Sequence, residues 1–269
     1  MRRPGALLLA AIASGAVWVP HGHAADVEYY TGTGNAGAGA VDYAQATCPF
    51  PGKPTGGGSF SSGAWGQSYL TALELDDADI RETFQAWSAA ASEVSLTATV
   101  ACVKGPAALG LRYRTKTRGL GADRKKALVA RCPAGFKVVG GEVTHDAAGA
   151  GVLIQASRPA DRNEAWKGEL LNTTASPQDM YVTAACASGG LAKKLTYRKQ
   201  SKQAPESKQT LATSDCPQGA EAVGGGVSVD KAIANVNSSG ISSTGSGSAT
   251  FLDAGAKDTR FTNYVICVE

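Results

Sequence analysis

Short runs of alternating apolar and polar residues, broken at brief intervals by glycine, proline and asparagine, set the pattern of this 269-residue chain. Residues 152–157, 166–170 and 180–186 are such runs, and a two-residue period with β-branched side chains predicts strands. No segment sustains a helical period. The one candidate, residues 79–91, aligns better with a strand. Ala78-Asp79-Ile80-Arg81-Glu82-Thr83-Phe84 parallels Ala160-Asp161-Arg162-Asn163-Glu164-Ala165-Trp166, with an aromatic five residues after an aspartate in each. Both read as a polar turn leading into a strand anchored by its ring. The pattern therefore predicts an all-β protein, built as a sandwich, barrel or prism.

The strands belong to a repeat. Cys48-Pro49, Cys132-Pro133 and Cys216-Pro217 are spaced 84 residues apart, and each cysteine has a second one downstream at Cys102, Cys186 and Cys267. Six cysteines allow 15 connectivities. The repeat favours Cys48–Cys102, Cys132–Cys186 and Cys216–Cys267, each closure stabilising its unit by about 4 kcal/mol in the chain-entropy model. Gly56-Gly57-Gly58, Gly140-Gly141 and Gly224-Gly225-Gly226 each begin eight residues after their cysteine. Such glycines in a strand mark a bulge or a close approach of two backbones. A phosphate-cradling loop would need a following Gly-Lys-Ser/Thr, which is not present. Tyr29, Tyr113 and Tyr197 each precede their Cys-Pro by 19 residues. These landmarks divide the chain into repeats at 25–107, 108–191 and 192–269, either closed into one domain or strung as three tandem β-sandwich modules.

Residues 1–24 read as a secretory signal peptide: Arg2 and Arg3, an apolar run over 5–19, and small residues before Ala25. That run is short for a bilayer span, no later segment is a transmembrane candidate, and export fits the paired cysteines. Without the leader, 24 basic residues face 23 acidic ones, and His145 is the one histidine left. It follows a glycine-rich strand and reads as a turn histidine rather than a catalytic one. No Cys-x-x-Cys pair or cofactor motif is present, so neither a metal nor a cofactor is expected. Residues 235–250, dominated by Ser, Gly and Asn, read as a flexible tip or a pair of worn strands. Asn172-Thr173-Thr174 and Asn237-Ser238-Ser239 match the N-glycosylation pattern.

Charge is spread unevenly over the repeats. Residues 108–131 hold eight basic residues and one acidic, the matching 192–215 hold six and two, and 26–47 hold three acidic and none basic. Arg112, Arg114, Lys116 and Arg118 recur at every second position, so a strand places them on one face. With Gly119–Gly121 as a turn and Asp123-Arg124-Lys125-Lys126 following, the segment reads as a hairpin. Two readings are open. The preferred one is a solvated face protecting a sheet edge; the sharper one is a cationic stripe for an anionic partner. Nucleic acid is disfavoured because no aromatics are interleaved for stacking. Asp76, Asp77, Asp79 and Glu82 form an acidic cluster that could serve glycoside hydrolysis, although Asp161 and Glu164 echo it and suggest a shared turn.

Cys132-Pro133-Ala134-Gly135 and Cys216-Pro217-Gln218-Gly219, with the glycine step and the closing cysteine, resemble the repeats of vitelline membrane outer layer proteins. Repeat 1 departs, with Pro51 in the glycine position and Gly52 one later. The repeat here is also longer, and residues 180–185 replace the family's Asp-Asp-Thr-Ala-Leu-Asn stretch. The resemblance implies a pseudo-threefold β-prism and a role in extracellular coats or saccharide binding. The expected function is thus a secreted non-catalytic binding or surface protein for anionic or neutral extracellular or envelope glycans. The alternatives are a carbohydrate-active hydrolase using the cluster at residues 76–82 and a structural coat protein with no small ligand. Nothing in the sequence addresses the oligomeric state.

Overall fold

The computed structural model describes residues 26–63, 68–76, 83–146, 151–230 and 234–269; the expected leader, residues 1–24, lies outside the described residues. Strands dominate the described residues, and each repeat supplies six of them. Repeat 1 holds β1 (Asp26–Ala36), β2 (Val41–Thr47), β3 (Lys53–Ser61), β4 (Ser68–Asp76), β5 (Thr83–Ala90) and β6 (Val94–Lys104). Repeat 2 holds β7 (Arg112–Leu120), β8 (Arg124–Arg131), β9 (Lys137–His145), β10 (Val152–Ala160), β11 (Ala165–Asn172) and β12 (Gln178–Ala187). Repeat 3 holds β13 (Leu195–Ala204), β14 (Gln209–Asp215), β15 (Glu221–Val229), β16 (Asn235–Ile241), β17 (Gly247–Asp253) and β18 (Thr259–Val268). Two five-residue helices, α1 (Gly105–Leu109) and α2 (Gly189–Lys193), link successive repeats, each opening on a glycine with positive φ. Of the segment weighed as a helix, Thr83–Ala90 is the strand β5, and residues 79–82 lie outside the described residues.

Within every repeat the six strands split into two antiparallel triplets. The first, last and third strands pair in that order (β1-β6-β3, β7-β12-β9, β13-β18-β15), as do the second, fifth and fourth (β2-β5-β4, β8-β11-β10, β14-β17-β16). The disulfides Cys48–Cys102, Cys132–Cys186 and Cys216–Cys267 each join the end of a second strand to the last strand. Each one therefore clamps the two triplets of its own repeat, as the spacing predicts.

The triplets then join across repeats. β3 pairs with β16, and β15 pairs with β10, giving two six-stranded sheets that each draw on two repeats. The third equivalent seam brings β9 beside β4, but no ladder links them among the described residues. The order is cyclic: repeat 1 joins repeat 3, repeat 3 joins repeat 2, and repeat 2 lies against repeat 1. The repeats share sheets and one continuous core; they are not tandem modules.

Glycine explains how the seams form. A Cβ on Gly58 would lie 2.0 Å from the Gly240 Cα, and one on Gly226 would lie 2.3 Å from the Ser157 carbonyl oxygen. Only a residue without a side chain lets those strands approach closely enough to pair. At the matched position of repeat 2 the chain has Glu142, which is buried, and that seam lacks its ladder.

The centre is built from the first glycine of each step. A Cβ on Gly56 would meet the Gly224 Cα at 3.0 Å; on Gly140, the Thr55 oxygen at 1.9 Å; on Gly224, the Val139 oxygen at 2.4 Å. Three backbones thus converge on one point. The preceding residues Thr55, Val139 and Val223 are the extra residues of three matching bulges, so each step is both a bulge and a close approach. The tyrosine landmarks lock this centre. The hydroxyl of Tyr29 donates to the Ala222 carbonyl at 2.9 Å, that of Tyr113 to Pro54 at 2.6 Å, and that of Tyr197 to Val138 at 2.7 Å. Each bond reaches into a different repeat, in the same cyclic order as the seams.

β7 and β8 are not the hydrogen-bonded hairpin expected from the sequence: β7 pairs with β12 and β8 with β11, so the turn between them joins two different sheets. Of the two readings of residues 235–250, the pair of strands holds and the flexible tip does not. These residues form β16, a turn and most of β17, and Asn237, Ser238, Ser239, Ser248 and Thr250 are buried. Their polarity is absorbed internally. Asn263 accepts from the Thr250 hydroxyl at 2.8 Å and donates to the Ser248 hydroxyl at 2.9 Å, and Asn237 donates to the Ser68 carbonyl at 3.0 Å.

Candidate functional site

β7 is the outer strand of its triplet, and its alternation sorts the side chains into two sets. Tyr113 turns inward to Pro54. Arg112, Arg114, Lys116 and Arg118 lie opposite Cys186, Ala184, Val182 and Met180 on β12, and residues directly opposite in an antiparallel ladder share a face. Their β12 partners are buried, yet all four cations are exposed on β7, the outer strand of the triplet. The strand expected from the two-residue period is present, and the Cα atoms of the four residues step about 7 Å apart along it.

The row of four cations is electrostatically uncommitted along most of its length. Arg112 donates to the carbonyls of Leu109 and Leu111 at 3.1 and 2.7 Å. Arg114, Lys116 and Arg118 have no carboxylate within ion-pair distance among the described residues. On β8, exposed Arg124 and half-buried Lys126 extend the positive edge. The basic residues that are neutralised lie elsewhere: Lys125 pairs with Glu169 at 2.5 Å, Arg131 with Asp161 at 2.6 Å, and Lys137 with Glu164 at 2.6 Å. Asp161 and Glu164 are thus engaged by cations around the turn Asp161–Asn163; the matching residues of repeat 1, Asp79 and Glu82, lie outside the described residues.

The same edge is built differently in repeat 1. The positions matching Arg112, Arg114, Lys116 and Arg118 are Glu28, Tyr30, Gly32 and Gly34. A Cβ on Gly32 would sit 1.7 Å from the Gln45 carbonyl oxygen, and one on Gly34 would sit 2.3 Å from that of Tyr43. Here β1 rests directly on the backbone of β2 and the edge is shut. Glu28 pairs with Lys104 at 2.5 Å and accepts from the Tyr30 hydroxyl. Burial pushes its carboxyl pKa up, but the bonds from Lys104 and Tyr30 and the lysine charge outweigh that and hold it below its ordinary value.

The other candidates carry less. Asp77, Asp79 and Glu82 lie outside the described residues, as does the Asp76 side chain, so the proposed hydrolytic cluster has no geometry to read. His145 is the last residue of β9, opposite Met180, rather than in a turn. Beside Asp146 and Asp179 lies an open depression of about 430 Å³ that also includes Leu120, Gly121 and Pro177. Among the described residues no group of three or more His, Cys, Asp or Glu is placed to hold a metal ion. Both sequon asparagines are buried in the fold: Asn172 donates to the Ser176 carbonyl at 2.8 Å, and Asn237 bonds Ser68. No helix among the described residues is long and apolar enough to cross a membrane. No protein-family model matches the chain, and no curated protein matches it in sequence.

Proposed function

We propose that this is a secreted, non-catalytic binding protein whose ligand is an acidic extracellular or envelope glycan, held along the β7 edge by Arg112, Arg114, Lys116 and Arg118. The observation that carries the reading is the exposed row of cations of which Arg114, Lys116 and Arg118 have no ion-pair partner among the described residues. A charge on an edge strand is ordinary protection; four cations in register, continued by Arg124 and Lys126, also make a linear field suited to an extended polyanion. The Tyr113 hydroxyl donates to the Pro54 carbonyl, so this ring is held inward rather than offered to stack a base, which favours a glycan over nucleic acid. The three disulfides support an oxidising compartment. The cyclic seams fit a three-sided, prism-like closure, and the resemblance to vitelline membrane outer layer proteins supports a saccharide-binding or coat role.

The test compares the mature protein with a variant carrying Arg112, Arg114, Lys116 and Arg118 changed to Gln, on acidic and neutral glycans at two salt concentrations. Exposed ion pairs are worth about 0.2–1 kcal/mol each. The variant is therefore expected to bind acidic glycans on the order of tenfold to several-hundred-fold more weakly, and salt to weaken the native protein in the same direction. Because these side chains are exposed, its thermal midpoint should stay close to the parent's. Equal binding by parent and variant would sink the proposal.

A further inference from the structure

We infer that repeat 3 carries a second acidic-glycan edge across β13 and β14, so that one molecule holds two polyanion segments at once. This rests on the reading of the β7 edge given above. In repeat 3 the positions matching Arg112, Arg114, Lys116 and Arg118 are Thr196, Arg198, Gln200 and Lys202. They lie opposite Cys267, Val265, Asn263 and Phe261, all of them buried, on β18, the register that the repeat 2 cations have on β12. Arg198, Gln200 and Lys202 are exposed, and β13 is likewise the outer strand of its sheet.

This edge is open and shaped. The Arg198 guanidinium donates to the Asp215 carbonyl at 3.0 Å, and the Gln200 side-chain oxygen accepts from the Thr213 backbone at 3.2 Å. Side chains thus bridge β13 and β14 at the level where Gly32 lets β1 rest on the Gln45 carbonyl in repeat 1. The bridging leaves an open cleft of about 460 Å³, lined by Arg198, Lys199, Gln200, Thr213, Ser214 and Asp215. Lys199 and Lys202 have no ion-pair partner among the described residues, and both are free to meet sulfate or carboxylate groups. The carboxylate of Asp215 borders the cleft and tempers its charge, so this edge is the weaker of the two. The frame therefore has one edge closed by glycine and two opened by cationic side chains. Because β13 and β7 belong to different repeats of a shared-sheet body, one short chain does not need to span both.

The experiment is calorimetric titration of the mature protein with a size-fractionated sulfated dextran hexasaccharide, followed by turbidity with long dextran sulfate. Three further proteins are compared: Arg112, Arg114, Lys116 and Arg118 to Gln; Arg198, Lys199 and Lys202 to Gln; and both sets together. Two bound equivalents are expected for the parent and one for each single-edge variant. The doubly changed protein should bind none, and only the parent should turn turbid with the long polymer. One equivalent for the parent, lost only when the β7 edge is changed, would overturn the second site while leaving the β7 reading intact. No binding by the parent to sulfated dextran, with unsulfated dextran as the neutral comparison, would overturn both.

Discussion

Gly140 shows how much structure can hang on the absence of a side chain. Its added Cβ would lie 1.9 Å from the Thr55 carbonyl, with the Gly56 Cα at 3.0 Å, and none of these backbone atoms can move without disturbing the other two repeats. Gly140→Ala is expected to cost about 3 kcal/mol or more, whereas Gly190→Ala, with nothing within 4 Å, should leave the denaturation midpoint unchanged or raised. Similar midpoints for the two variants would contradict a central glycine contact. The tyrosines offer a pH-dependent check. Burial raises the phenol of Tyr29 well above its usual value of 10.0, aided by the Glu221 carboxylate, and burial raises that of Tyr197 as well. A group whose folded pKa is raised favours folding below its unfolded pKa, and that contribution is lost as pH climbs beyond it. Urea midpoints should fall as pH rises above about 10, and the fall should be shallower in a Tyr29→Phe, Tyr197→Phe double variant, itself less stable at pH 8 by about 1–3 kcal/mol per lost bond. An equally steep fall in the variant would assign the alkaline loss to other groups. Both landmark sets were legible as periodic residues, but their partners were not. Each tyrosine bonds a different repeat, and spacing within one repeat carries no information about that.

At the scale of strands, alternation located the elements well, and the parallel between residues 78–84 and 160–166 correctly turned a candidate helix into β5. It failed where local pattern and tertiary pairing diverge. The segment with Gly119–Gly121 at its turn looks like a hairpin, yet β7 and β8 go to different sheets because each finds its ladder with the strand five or three positions later. Residues 235–250 left a flexible tip and a pair of worn strands both open, and the strands are what forms. Buried Asn263 and Asn237 satisfy hydroxyls of that segment internally, and a satisfied polar network is stable where isolated polar groups are not. The seams give the element-level prediction. Gly226→Glu, copying Glu142 of repeat 2, should break the β15–β10 pairing and cost about 2–3 kcal/mol, seen as faster hydrogen exchange at Ser157 and Val227. Unchanged protection there would show that the seam tolerates a side chain and that Glu142 does not explain the missing ladder between β9 and β4.

Over the whole molecule, a threefold frame is used unequally. Three repeats share sheets, a glycine centre and cyclic tyrosine bonds, yet their outer edges differ in sign and spacing: Glu28, Gly32 and Gly34 close the first, Arg112 to Arg118 open the second, and Arg198 and Lys202 open the third. Function is read from that difference, since what the repeats have in common serves the fold. The charge asymmetry was visible in the sequence. That the cations stand at an open sandwich rim, where repeat 1 has backbone contact, was not, because it depends on β1 lying against β2. The most direct measurement is an amide chemical-shift map of the ¹⁵N-labelled mature protein titrated with a sulfated dextran hexasaccharide. Shifts concentrated on Arg112–Arg118 and Arg198–Lys202, with residues 28–34 unmoved, are the expected result. Shifts confined to another surface, or spread equally over all three edges, would contradict a cationic-edge binding protein.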